Sequence, residues 1–184
     1  VGSEMCIRDR LGIACYEDKM VQLALKKILE AIYEPRFLNC MYGFRPNRGC
    51  HDAIKELYKR LNNTKICYIV DADIKGFFDH MKHEWIIKFL YLYIKDPNII
   101  GLVKKYLKVG VIDGGELMMN EEGSAQGNII SPILANIYMH NVLTLWYKFI
   151  ITKECKGDNF LIVYADDFVA GFQYCLLYTS DSAD

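Results

Sequence analysis

The sequence predicts an α+β fold, and three observations carry the prediction. Segments with apolar residues at a 3.6-residue period alternate with short β-rich runs. The β-rich runs are bounded by Gly, Asn or Asp, the residues that punctuate strands. Apolar residues make up 52% of the 184 residues and charged residues 24%, the balance of a globular chain with one real core. Aromatic content of 13% with four prolines excludes disorder as the main state. No uncharged apolar run reaches the roughly 18 residues of a membrane helix, so no membrane partner is expected.

The elements follow in order. Asp18 can cap a helix carrying Val21, Leu25, Ile28, Leu29 and Ile32, with Pro35 at or beyond its end. Gly43 to Gly49 reads as a loop by its Gly and Pro content. A second helix carries Ala53, Ile54, Leu57, Tyr58 and Leu61 and breaks at Asn62-Asn63. Ile66 to Ile74 reads as a buried strand. Helices follow over 84–93 and 99–107, separated by Asp96-Pro97, with Trp85, Tyr91 and Tyr106 expected in the core. Asp113-Gly114 between apolar pairs signals a hairpin. Ser131-Pro132 starts a helix that runs to about Ile150, and the apolar density of 129–151 predicts its burial. Short strands over 160–164 and 168–172 flank Ala165-Asp166-Asp167.

Both ends depart from this pattern. Residues 1–10 show no apolar period, and 175–184 lapse into small polar residues; both read as non-native read-through ends. The remaining 11–174 is then a partial domain, cut from the middle of a longer protein. Net charge is −1, which does not advertise a polyanionic partner, but charge is unevenly placed. Arg36 to Arg60 holds six cations against two acids, and Lys82 to Lys108 again six against two. Such stretches suit a solvated helix face or a nucleic-acid surface. The seven cysteines include no CxxC pair, which argues for free thiols in a reducing cytosol and against a zinc site.

Three features carry chemistry. Asp71-Ala72-Asp73 ends an apolar strand, whose alternation puts both acids on one face. Asp166-Asp167 places two acids side by side in a turn, where one titrates high unless a cation is near. Gly123-Ser124-Ala125-Gln126-Gly127 is a small-residue loop that lets backbone approach a ligand. If the two acid sets meet, adjacent strands present three or four hard oxygen ligands, which suit Mg²⁺. Two such ions serve phosphoryl or nucleotidyl transfer. Asp73, Asp166 and Asp167 are therefore expected to converge, with carboxyl groups within about 8 Å of one another.

Tyr164-Ala165-Asp166-Asp167 matches the YxDD box of reverse transcriptases. Further words occur in the family's order: Tyr42-Gly43-Phe44-Arg45-Pro46 with Cys50-His51-Asp52-Ala53, Ala72-Asp73-Ile74-Lys75-Gly76-Phe77-Phe78-Asp79, and Gln126-Gly127 through Ser131-Pro132-Ile133-Leu134-Ala135-Asn136-Ile137-Tyr138. Together they closely resemble the group II intron-encoded reverse transcriptase/maturase family over essentially all of 11–174. The resemblance implies a right-hand polymerase fold, here fingers and partial palm, with an antiparallel palm sheet packed on helices. It implies an RNA-directed DNA polymerase of a mobile intron, bacterial and cytoplasmic, whose full protein is also a splicing maturase. It further implies two Mg²⁺ ions as cofactors, and an intron RNA template, a DNA primer and dNTPs as partners.

Residue by residue, the resemblance makes Asp73 the first metal ligand and Asp166 the second. Asp167 completes the catalytic trio, also counted among the metal ligands, and the Ile74 backbone is a further ligand. Phe78 becomes the aromatic gate against a ribose 2′-OH, and Gln126 lines the incoming-nucleotide pocket. Lys75, Gly76 and Phe77 go with the nucleotide site, although Phe77 also suits a core position. Arg45 and Arg48 go with the template or RNA path, and Asp71 is a supporting acid. Three departures stand out. Ala125 replaces the usual Pro, the basic fingers segment expected before Leu11 is missing, and the thumb and maturase domains are not present. The fragment alone is therefore expected to be inactive. A retron or diversity-generating reverse transcriptase is an alternative, disfavoured by the Gln126 to Tyr138 words. A splicing-only RNA-binding maturase is another, disfavoured by retention of all three acids.

Overall fold

The computed structural model describes residues 15–108, 111–113, 116–118 and 128–174. The expected read-through ends and Gln126 lie outside the described residues. The chain divides into two compact units, the described parts of Val1–Tyr33 with Gly76–Tyr138, and of Glu34–Lys75 with Met139–Asp184.

The first unit is mainly helical. Helix α1 (Tyr16–Tyr33) buries Gln22, Leu25, Leu29 and Tyr33 along one stripe. It begins before Asp18, with the Lys19 amide donating to the Cys15 carbonyl at 3.0 Å, so Asp18 sits in the first turn and is not the cap. Val21 and Ile28 consequently stay exposed. The buried Gln22 is satisfied: its amide nitrogen donates to Asn128 Oδ1 at 3.4 Å, and its Oε1 accepts from the Ile129 amide at 2.8 Å. Short helix α3 (Phe77–His80) leads to α4 (His83–Tyr91), which buries Ile86 and Leu90, and to α5 (Pro97–Lys108). Pro97 takes the first helical position of α5, where its missing N–H costs nothing. The Tyr33 hydroxyl donates to the Phe89 carbonyl at 3.0 Å and ties α1 to α4. Strands β2 (Val111–Asp113) and β3 (Glu116–Met118) pair antiparallel, as the Asp113-Gly114 signal predicts. Helix α6 (Ser131–Met139) buries Ile133, Leu134, Ala135 and Ile137. Tyr106 is in the core, but Trp85 and Tyr91 are about half exposed, beneath Lys88 and Lys104 respectively. A ring roofed by a lysine stem stays wet on one side.

The second unit holds the sheet. Helix α2 (Cys50–Asn63) starts where the Asp52 carboxylate accepts from the Gly49 amide at 2.9 Å. Strands β1 (Tyr68–Asp73), β4 (Asn159–Tyr164) and β5 (Asp167–Phe172) form an antiparallel sheet in the order β1-β5-β4. Tyr42 and Ala53 pack on Phe160 and Ile162 of β4, with Leu57, Ile66 and Val169 around them. Residues 40–42 run along β4: Val163 donates to the Cys40 carbonyl and Tyr42 to the Val163 carbonyl, both at 2.8 Å.

Two burial expectations are overturned. Strand β1 is exposed, with Tyr68, Ile69 and Val70 at 49%, 55% and 48% of full accessibility. Among the described residues it pairs with β5 alone, so one edge of it is open. The long helix after Ser131 is continuously buried only in its first part, and beyond Met139 it keeps His140, Thr144 and Tyr147 buried. Beyond Met139 it continues through π-helical turns at His140–Thr144 and Tyr147–Ile151, ending with α7 (Thr152–Glu154). π-helical turns rotate the side-chain stripe relative to an α-helix, and Val142, Trp146, Phe149 and Ile150 emerge exposed. Among the described residues, no helix is long and apolar enough to cross a membrane.

Candidate active site

The ends of three strands bring the acids together. β1 ends at Asp73, β4 at Tyr164, and β5 begins at Asp167. Asp73 pairs with Asp167 in the β1–β5 register, and Tyr164 pairs with Asp167 in the β4–β5 register. A two-residue turn, Ala165-Asp166, closes the β4–β5 hairpin. One residue beyond the last β1–β5 pair, the Ile74 amide donates to the Asp166 carbonyl at 3.4 Å, fastening the turn to the end of β1. Acids about ninety residues apart in sequence thus share one end of one sheet. The sequence could assume that meeting but not derive it.

The turn is held in a costly shape. Ala165 has φ of 57°, in the left-handed region that a residue with a Cβ seldom adopts. Two-residue hairpins need positive φ at the first central position, because only mirror-image turns match the strand twist. Ala165 supplies it without the freedom of glycine and is itself buried.

Asp71, Asp73 and Asp167 are exposed and Asp166 is half-buried. Desolvation first, then the neighbouring carboxylates of Asp166, Asp73 and Asp71, push the Asp167 carboxyl above its ordinary value. Among the described residues no lysine or arginine forms an ion pair with these acids. The oxygen-only donor set and its excess negative charge fit a hard divalent cation. Among the described residues, however, no three of His, Cys, Asp or Glu are gathered closely enough to hold a metal ready-made. The acids share one end of the sheet.

The remaining expected site residues fall into separate places. Lys75 follows β1 and is exposed, and Gly76 takes φ of 64° as the residue before α3. Phe77 is buried, with its ring edge-on to Tyr138 at 6.0 Å, so it is a core residue of the first unit. Phe78 is half-buried beside it. The rings meet edge-on at 5.5 Å, and consecutive positions on a helical turn leave one buried and the other half-buried.

Arg45 departs from the template role expected for it. It is only 8% exposed, and its guanidinium is taken up internally. Nε and Nη2 donate to Glu34 Oε1 at 2.9 and 2.7 Å, and Nη1 donates to the carbonyls of Leu38 and Met41 at 2.9 and 3.0 Å. A planar fork with this many buried acceptors is a clamp on its own loop. Arg48 is less buried and donates to the Asn39 carbonyl at 2.8 Å and to Asn39 Oδ1 at 2.9 Å. It borders a cleft of about 660 Å³ along the first half of β4, which also takes in Lys148, Glu56 and Arg60 and none of the four acids. Sequence reasoning missed Gln22 and Glu34 as structural partners. Neither lies in a chemical motif, and only their long-range contacts mark them.

With this geometry in hand, the chain can be set beside known proteins. Residues 6–174 match the family described as reverse transcriptase (RNA-dependent DNA polymerase). The chain belongs to the reverse transcriptase family. Within it the likeness is to intron-encoded proteins. Over 149 residues the chain is 39% identical to the group II intron-encoded protein LtrA of Lactococcus lactis, covering 81% of this chain and 24% of LtrA. It is 41% identical over 133 residues to a 91 kDa protein in the cob intron of Schizosaccharomyces pombe, covering 72% of this chain and 16% of that protein. The chain therefore spans about a quarter or less of these relatives' length. Telomerase from Candida albicans, solved with a fragment of telomeric RNA, shares the fold at a TM-score of 0.58 and 15% identity, over 88% of this chain and 30% of that one. Apo telomerase from Candida tropicalis gives 0.54 at 15% identity, over 86% of this chain and 34% of that one. These folds agree with the expected right-hand polymerase, fingers and partial palm.

Proposed function

We propose that the full-length protein carrying this reverse-transcriptase segment is the RNA-directed DNA polymerase of a group II intron, copying intron RNA into DNA from a DNA primer with dNTPs, and also aiding splicing. The observation that carries the reading is the pairing of Asp73 with Asp167 next to Asp166 at one sheet end. The family match and the intron-encoded relatives support it.

In this reading Asp73 and Asp166 hold divalent metal, with Asp167 beside them and the Ile74 backbone as a further ligand. Bound Mg²⁺ supplies activation of the primer 3′-oxygen and neutralises charge on the triphosphate. The chain's own contribution is to bring the acids to one sheet end by strand register. Phe78, half-buried where Phe77 is buried, takes the role of sugar gate. Lys75, Gly76 and Gln126 belong to the nucleotide site. Arg48 remains the candidate RNA contact of the loop. The five free cysteines among the described residues support a reducing, cytoplasmic setting. The residues 1–10 and 175–184 remain proposed as non-native ends, with 11–174 as the native segment.

The test is Asp73→Asn and Asp166→Asn in the full-length protein. RNA-templated DNA synthesis is expected to fall by at least about 1000-fold, since a metal ligand supports several kcal/mol of transition-state stabilisation. RNA affinity should hold. Synthesis retained within about tenfold of the parent would sink the two-metal reading.

A further inference from the structure

We propose that Gly43 and Arg45 are positioning residues for the catalytic turn: the loop they belong to is a buttress that sets the place of Asp166. The inference rests on the polymerase reading above and assigns to the loop a role in turnover.

A Cβ built at Gly43 would lie 2.3 Å from the Ala165 backbone nitrogen, and 3.0 Å from both the Ala165 Cα and the Tyr164 carbonyl carbon. All three are backbone atoms, which cannot swing aside as a flexible side chain can. The φ of Gly43 is not in the left-handed region, so glycine is required here for space and not for torsion. The loop backbone is thus pressed directly on the turn that carries Asp166.

The buttress is fastened on both sides. Toward the sheet, the Cys40 carbonyl and the Tyr42 amide bond Val163, two residues before Ala165. Away from it, Arg45 reaches back to the Met41 and Leu38 carbonyls and to Glu34, locking the arc from 38 to 45. The loop holds Phe44 at φ of 55° and Asn47 at 58°, and the turn holds Ala165 at 57°. Left-handed non-glycine residues persist only where their surroundings over-determine them. Here each strained segment is part of what confines the other. A methyl at position 43 therefore has no cheap escape. Either the loop retreats, breaking the bonds to Val163, or the turn moves and takes Asp166 with it.

The experiment uses the full-length protein with Gly43→Ala, Arg45→Lys and Asp166→Asn. Readouts are kcat and KM for dNTP on an RNA template, RNA affinity, melting temperature, and Mn²⁺ affinity measured by spin-resonance titration without substrate. Gly43→Ala is expected to lower kcat about 10- to 100-fold, the effect of shifting a reacting group by about an ångström. KM and RNA affinity should hold, while Mn²⁺ binds more weakly. Arg45→Lys keeps the charge and loses the fork, and is expected to lower kcat in the same way to a smaller degree. A purely structural role would lower the melting temperature without splitting kcat from KM or weakening Mn²⁺.

Gly43→Ala that folds with unchanged kcat and Mn²⁺ affinity overturns the proposal. If that variant fails to fold, Arg45→Lys decides. Reduced kcat with intact RNA affinity upholds the buttress; reduced RNA affinity with intact kcat returns Arg45 to the template path and overturns it. Asp166→Asn separates the two readings, because an enzyme still active with Asp166→Asn defeats the assignment of Asp166 as a metal ligand whatever the loop variants do.

Discussion

β1 and β4 flank the same central strand, have the same length and read equally well as apolar strands, yet they meet opposite fates. In β4, Phe160 to Val163 are buried on both faces, with Tyr42 and Ala53 packed on Phe160 and Ile162. In β1, Tyr68 to Asp71 are exposed and only Ala72 is partly covered. The difference lies in what each strand is given as a second neighbour. Residues 40–42 pair with β4 and α2 packs over it, whereas among the described residues β1 pairs with β5 alone. Apolar sequence specifies a strand; burial needs partners from elsewhere in the chain. The acids divide the same way. Asp73 sits at the end of the open strand, and Asp166 sits in a turn pressed by Gly43.

The comparison can be broken most forcefully at Phe160. Its ring fills the space against Gly171, where an added Cβ would lie 2.3 Å from it. Phe160→Ala is expected to cost about 3–5 kcal/mol in urea unfolding. A loss below about 1 kcal/mol would show that β4 is not the enclosed strand.

A pH titration sharpens the same contrast. His140 is 4% exposed, with Nδ1 bonded to the Thr144 hydroxyl at 3.0 Å and its ring edge-on to Phe37 at 5.5 Å. Burial first, then the cations Arg45 and Lys148, lower its pKa from 6.5 to about 4. The unfolded chain therefore binds a proton that the folded one refuses. Stability from this group is complete above about pH 6.5 and is lost as pH falls toward 4, by up to about 3 kcal/mol. Chemical unfolding at pH 7.5 and 4.5 should show the loss, and His140→Gln should flatten it. An equal slope in parent and variant would remove His140 as the cause.

The smallest effect is expected on β1. Ile69→Thr and Val70→Thr keep strand propensity and remove exposed apolar surface. Each should change stability by less than about 0.5 kcal/mol. Light scattering should show less self-association, since an open apolar edge invites pairing. A loss comparable to that at Phe160 would mean that β1 is covered in solution.

Much of the site was legible because its chemistry is compressed into words. Asp73 and the Tyr164-Ala165-Asp166-Asp167 turn stand out as acids that end apolar strands and recur in the words of one family. The resemblance placed Arg45 on the template path, and its internal hydrogen bonds were not legible. A cation in a Gly- and Pro-rich loop looks like a free ligand-binding group, and nothing local reveals Glu34 and two carbonyls waiting for it.

The sequence by itself determined most of the helices and strands, the pairing of the short strands on either side of each turn signal, and the acids at the strand ends. These depend on period, propensity and side-chain chemistry, which act over a few residues. Tertiary structure decided which strand is enclosed, that Asp73 faces Asp167 across a register, and that Gly43 must lack a side chain. Those outcomes depend on which distant segments meet. A backbone contact of a few ångströms between residues 43 and 165 leaves no mark on the local pattern of either.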